Sequence, residues 1–100
     1  MAQPISEAAR ILGARIKERR KKLGNSQEEI ALLADMNVSN YGKIERGLGN
    51  PNFHTVIVIA AVLTIDPADL VRGIGKNDLP KRERVFTAAE FIAEKRRRAN

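Results

Sequence analysis

The feature that most constrains this chain is a pair of helix starts placed very close together. Ser26-Gln27-Glu28-Glu29 reads as a capping box. In such a box the Ser26 hydroxyl accepts from the Glu29 N–H while the Glu29 side chain reaches back to Ser26. Helical periodicity then turns Ile30, Ala31, Leu33 and Ala34 inward on a helix ending near residue 34. Asp35-Met36-Asn37 follows as a three-residue turn, and Asn37 can cap a second helix over 38–46. Gly47-Leu48-Gly49-Asn50-Pro51 stops that helix with two glycines and a proline. Helices this short are marginal in isolation, so they need a surrounding bundle. The tight turn makes them a close helix pair.

The remaining segments supply that bundle. Ser6 caps a first helix that ends at Gly24, with Glu7 at its positive end and lysines at its negative end. Ala9, Leu12, Ile16 and Leu23 form its apolar stripe, leaving Arg15, Lys17, Arg19, Lys21 and Lys22 largely on other faces. Asn52 caps a helix over 53–63, and Asp66-Pro67 opens a short one that ends at Arg72-Gly73. Residues 75–84 are polar around Pro80, so a linker is expected over 75–86. Thr87-Ala88-Ala89-Glu90 is a second capping box, with Phe86 and Phe91 spaced as a hydrophobic staple. A last helix is expected from Ala88 to about Arg98. The expectation is all-α, with one domain over 1–74, a linker over 75–86 and a basic helix within 87–100.

Charge narrows the partner. Lys and Arg number 18 against 12 Asp and Glu, a net charge of +6. That balance favours nucleic acid over an anionic membrane, although a merely solvated basic surface fits it equally well. Without cysteine there is no disulfide and no zinc-thiolate site, and His54 is the only histidine. No metal or cofactor is therefore expected. Neither a Ser/His/Asp set nor a phosphate-cradling glycine loop is present, so no enzyme is expected either. Residues 1–6 lack the pattern of a signal peptide, and the longest apolar run, 56–63, is too short to span a bilayer. The expected setting is the cytoplasm.

Several motifs fall in a familiar order: Leu12-Gly13, Ile16 before basic residues, Ser26-Gln27-Glu28-Glu29-Ile30-Ala31, Lys43-Ile44-Glu45-Arg46-Gly47, Asn50-Pro51, and Ala60 with Leu63. In this order and spacing, residues 12–71 resemble the Cro/repressor (XRE) family of helix-turn-helix domains. The resemblance implies a five-helix lambda-repressor-like DNA-binding bundle, here with an additional C-terminal helix. It also implies that helix 38–46 enters the major groove of double-stranded DNA. Positions matching the family's base readers are Asn37, Val38, Ser39 and Lys43. Lys43 suits a guanine edge and Val38 a thymine methyl, while Ser39 discriminates less and Asn37 also fits a plain capping role. Phosphate contacts are implied for Arg20, Gln27, Asn40, Arg46, Asn50 and Asn52. Arg20 and Glu45 match a pair that the family joins by a salt bridge beneath the recognition helix.

The chain also departs from the family. Gly42 stands where a side chain is usual, which fits either close approach to the DNA backbone or tolerated drift. Tyr41 replaces a buried aliphatic, so its ring is expected in the core with its hydroxyl near the surface. Asn25 likewise stands where an aliphatic is usual. Val58 and Ala61 fall where the family tends to be polar, and with Ile65 and Ile74 they are expected to form a homodimer face. Such a dimer would set two recognition helices roughly 34 Å apart on an inverted repeat. The expected function is a transcriptional regulator of the repressor kind, nucleoid-associated in a bacterium or phage. The alternative is an antitoxin or other partner-binding protein, whose 87–100 tail binds a protein and whose DNA binding is autoregulatory.

Overall fold

Ser6, in an extended conformation, accepts from the Ala9 N–H at 3.0 Å and opens α1 (Glu7–Leu23). In this computed structural model, which describes residues 2–80 and 86–99, local cap chemistry sets most of the helix boundaries. Gly24 closes α1 in the left-handed conformation, φ 79°, and returns its N–H to the carbonyls of Arg20 and Lys21. Both halves of the Ser26 capping box form ahead of α2 (Gln27–Leu33), at 3.1 and 2.7 Å. Asn37 Oδ1 accepts from the N–H groups of Ser39 and Asn40 and opens α3 (Val38–Glu45). Asn52 does the same for Thr55 at the start of α4 (Phe53–Val62), and Asp66 caps α5 (Pro67–Val71). A 3-10 turn at Lys76–Asp78 lies inside the expected linker, of which 81–85 fall outside the described residues. The Thr87 capping box is present and leads into α6 (Ala88–Ala99). The fold is all-helical, with no strand among the described residues.

α1 to α5 enclose one core of Ile16, Ile30, Ala31, Tyr41, Ile44, Val56, Ile59, Ala60, Leu63 and Leu70. Fully burying each large aliphatic stabilises the fold by about 1.5–3 kcal/mol. At Gly13 the contact between α1 and α3 is made by backbone. A Cβ on Gly13 would stand 2.2 Å from the Ile44 carbonyl oxygen and 2.5 Å from that of Glu45. Only glycine admits that approach.

This contact changes the expected stripe on α1. Its buried positions are Gly13, Ile16 and Arg20; Leu12 packs at the edge, and Leu23 in the last turn is exposed. Leu33 is also a correction, being 65% exposed rather than in the core. Ile30, Ala31 and the cap residue Ala34 already occupy the inner face of α2.

Arg15 and Arg19, off that stripe, do more than face solvent. Arg15 Nη1 donates to the carbonyls of Leu70 and Arg72 at 3.1 and 2.7 Å. Arg19 donates from Nε to the Leu63 carbonyl at 2.9 Å and from Nη2 to the Thr64 carbonyl and hydroxyl. Each guanidinium thus satisfies carbonyls left open at the end of α5 or α4, and sets positive charge at that helix's negative end. In α6, by contrast, no residue is buried; Phe91 and Ile92 on it, and Phe86 just before it, stay exposed. Among the described residues no helix is long and apolar enough to cross a membrane.

Candidate nucleic-acid interface

Glu45 ties α1 and α2 to the back of α3. Arg20 grips its carboxylate through Nε and Nη2 at 2.7 and 2.9 Å, and Gln27 Nε2 donates to the same carboxylate at 2.9 Å. Burial works to raise the Glu45 carboxyl, but the hydrogen bonds from Arg20 and Gln27 outweigh it and hold the group below the usual carboxylate range. Arg20 also donates from Nη1 to the Asn25 carbonyl at 3.0 Å. Of its two expected roles, the buried geometry accounts for the ion pair; a phosphate would have to compete with these bonds. Gln27 likewise turns its amide nitrogen inward.

Tyr41 departs from expectation at its tip. Its ring is in the core, and its hydroxyl is buried there too, without a hydrogen-bond partner. The reason is that the inner face of α3 ends at the buried Arg20–Glu45 pair instead of at solvent. Burial first, and the Glu45 carboxylate second, push the phenol far above its ordinary ionisation range.

The outer face of α3 is open. Val38, Ser39 and Lys43 are exposed, and Ser39 and Lys43 are four residues apart on the same side of the helix. Asn37 Oδ1 is engaged in capping, which leaves its amide nitrogen to an outside partner. On one flank, the groove between α3 and the start of α4 is lined by Asn40, Lys43, Asn50, Asn52 and Thr55. Residues separate in sequence therefore meet in one groove that carries three amide side chains and one ammonium beside apolar Met36, Ile44 and Pro51. On the other flank, Arg46 and Gln27 meet over Gly42, which is buried beneath them. Gly42 is therefore not a point where DNA could approach bare backbone, and sequence reasoning gave no sign of what covers it.

Residues 16–70 match the helix-turn-helix family. This chain belongs to that family, in its XRE-type branch. Solved helix-turn-helix structures agree in fold. The restriction-modification controller protein C.AhdI from Aeromonas hydrophila is 34% identical, with a TM-score of 0.61 over 62% of this chain and 94% of that one. SinR, a master regulator for biofilm formation solved in complex with DNA and known from Bacillus subtilis, is 37% identical, with a TM-score of 0.57 over 59% of this chain and 95% of its own. The P22 c2 repressor, solved with a synthetic operator, is 27% identical, with a TM-score of 0.58 over 62% of this chain and 94% of that one. Among curated proteins no match was found.

Away from α3, the four residues expected to form a dimer face are not brought together in one groove, since Val58 and Ile65 line different ones. Val58, Ile65 and Ile74 are half-buried and Ala61 is exposed. Val58 lines a groove with Leu33 and His54. Phe53 is 80% exposed and Ile57 is exposed one turn on, neither of which was anticipated. Their spacing with Ala61 was the available signal: 53, 57 and 61 form one stripe of a helix whose other faces are apolar as well.

Proposed function

We propose that this chain is a sequence-specific regulator of transcription that binds double-stranded DNA, acting as a homodimeric repressor on an inverted repeat. The observation that carries this reading is the exposed Ser39–Lys43 face of α3, on a helix locked from behind by Glu45 and flanked by the Asn40/Asn50/Asn52 groove. Lys43 donates to a guanine edge, Ser39 and Asn37 reach neighbouring base or sugar atoms, and Val38 packs on a thymine methyl. Arg46 and the amide-lined groove hold phosphates on either side, setting register without reading sequence. The role is one of binding, with no chemistry performed on the DNA.

The repressor and dimer parts rest on two arguments. A small domain seated in the groove of a promoter excludes other proteins without needing an activating surface. The exposed Phe53–Ile57–Ala61 stripe, with half-buried Val58 on the same helix, offers an apolar face for a second copy. One observation favours the second reading, a partner-binding protein with autoregulatory DNA binding: α6 leaves Phe91 and Ile92 exposed beside a basic end.

Selection of bound duplexes from random DNA at moderate salt tests the proposal. An enriched inverted repeat is expected, with half-site centres about 10 base pairs apart. Lys43→Ala should relax preference at one base position in each half-site, at a cost of roughly 1–3 kcal/mol in discrimination. Absence of any enriched sequence would overturn specific regulation.

A further inference from the structure

Gly42 is the one position within α3 that has no side chain, and the reason lies in what folds over it. Helical side chains lean toward the N-terminus, so Arg46, one turn later, crosses back over position 42. Gln27 arrives from α2. Its amide nitrogen is held by Glu45 at 2.9 Å, and its Oε1 lies on the Gly42 side. A Cβ at Gly42 would stand 3.1 Å from Arg46 Nη1 and 3.5 Å from Gln27 Oε1. The bare backbone is thus the floor on which the guanidinium lies, along the seam between α2 and α3. Glycine within a helix is less favourable than alanine. The helix therefore carries a cost here that the packing of Arg46 and Gln27 explains.

Arg46 is exposed and forms no ion pair with any described residue. Its donors therefore remain open to an outside anion, while its stem is confined over Gly42. A long side chain held near its bound geometry loses less rotamer freedom when it binds.

We propose that Gly42 is a positioning residue for Arg46. By withholding a side chain, it lays the Arg46 guanidinium beside Gln27 at the α2–α3 seam, where Arg46 meets a DNA phosphate. This deepens the DNA-binding reading and rests on it.

The test compares the unaltered chain with Gly42→Ala, Gly42→Gln, Arg46→Ala and the double variant Gly42→Gln/Arg46→Ala. Affinity for a duplex recovered by selection is measured by fluorescence anisotropy across a salt series. Arg46→Ala is expected to weaken binding roughly tenfold near 0.1 M salt and to lower the salt slope by about one. Gly42→Gln should reproduce most of both effects, because its side chain needs the volume that Arg46 and Gln27 occupy. Gly42→Ala should show a smaller loss, since only the tip of Arg46 must give way. The double variant should bind no more weakly than Arg46→Ala alone.

Thermal unfolding of Gly42→Ala should not fall below that of the unaltered chain, as alanine favours the helix. Affinity would then fall without a loss of stability, which a purely structural glycine would not produce. If Gly42→Gln fails to fold, Gly42→Ala combined with Arg46→Ala gives the same comparison. Unaltered affinity and salt slope in the Gly42 variants, or losses that add in the double variant, would overturn the proposal. If the unaltered chain binds no duplex at all, the DNA-binding reading falls first and takes the proposal with it.

Discussion

Glu45 is where burial, charge and pH meet. Its side chain is 1% exposed, and its partner Arg20 is 11% exposed. Removing one member of such a buried pair costs about 3–5 kcal/mol, chiefly because the other charge is left uncompensated. The pair also makes stability depend on pH. The folded Glu45 carboxyl lies below its unfolded value, which is about 4.3 for a free glutamate. Its contribution is therefore fully present above that value and fades as pH falls through the lower, folded one. Urea unfolding between pH 7 and pH 3 should show stability declining once pH drops to about 4.5. Glu45→Gln should be less stable at pH 7 and show a flatter profile. A remainder is expected from exposed Glu7 and Glu29 and half-buried Glu94, whose carboxyls are lowered in the same direction. An equally steep acid decline in Glu45→Gln would assign the pH dependence elsewhere. The ion pair was legible from the family spacing. The buried Tyr41 hydroxyl was not, because its surroundings come from three helices at once.

The helices show why some of the fold could be read directly and some could not. The Ser26 and Thr87 capping boxes join donors and acceptors three residues apart, so the sequence alone places both partners. The Arg15 and Arg19 bonds link residues 44 to 57 positions apart, and nothing local announces them. The turn between α2 and α3 carries a strain that its residue types only partly reveal. Asp35 sits at φ 54° in the left-handed region, as does Thr64 after α4 at φ 52°. That region costs a typical L-residue roughly 1–2 kcal/mol, less for aspartate and nothing for glycine. Asp35→Gly should therefore raise stability by up to about 1 kcal/mol, seen as a higher thermal midpoint. A lower midpoint would mean that the Asp35 side chain stabilises the turn in a way the backbone strain does not capture. Thr64 is a poorer candidate for replacement, because its hydroxyl accepts from Arg19 and donates to the Leu63 carbonyl.

Across the whole molecule, the division of labour falls between the five-helix frame and α6. Every buried core residue lies between 16 and 70, and none lies in α6. A chain ending at residue 80 should therefore keep its unfolding midpoint, losing helical signal only in proportion to α6. A fall in that midpoint at low concentration would place α6 inside the folding unit, and with it the proposed boundary at 74 would move. Net charge is a blunt guide at this scale. Arg20 is matched by Glu45, and Arg97 and Arg98 both pair with Glu94. Counting charges in the sequence shows the sign of the preferred partner but not which cations are at liberty to meet it.

The touch between α1 and α3 at Gly13 bears on how such a protein can change over generations. Because backbone meets backbone there, the pose of α3 does not depend on what its outward side chains are. On the proposed reading, a lineage can therefore exchange Ser39 or Lys43 and acquire a new operator while inheriting the same scaffold. Position 13 has no such latitude, and drift there would be purged whatever DNA the descendants came to read.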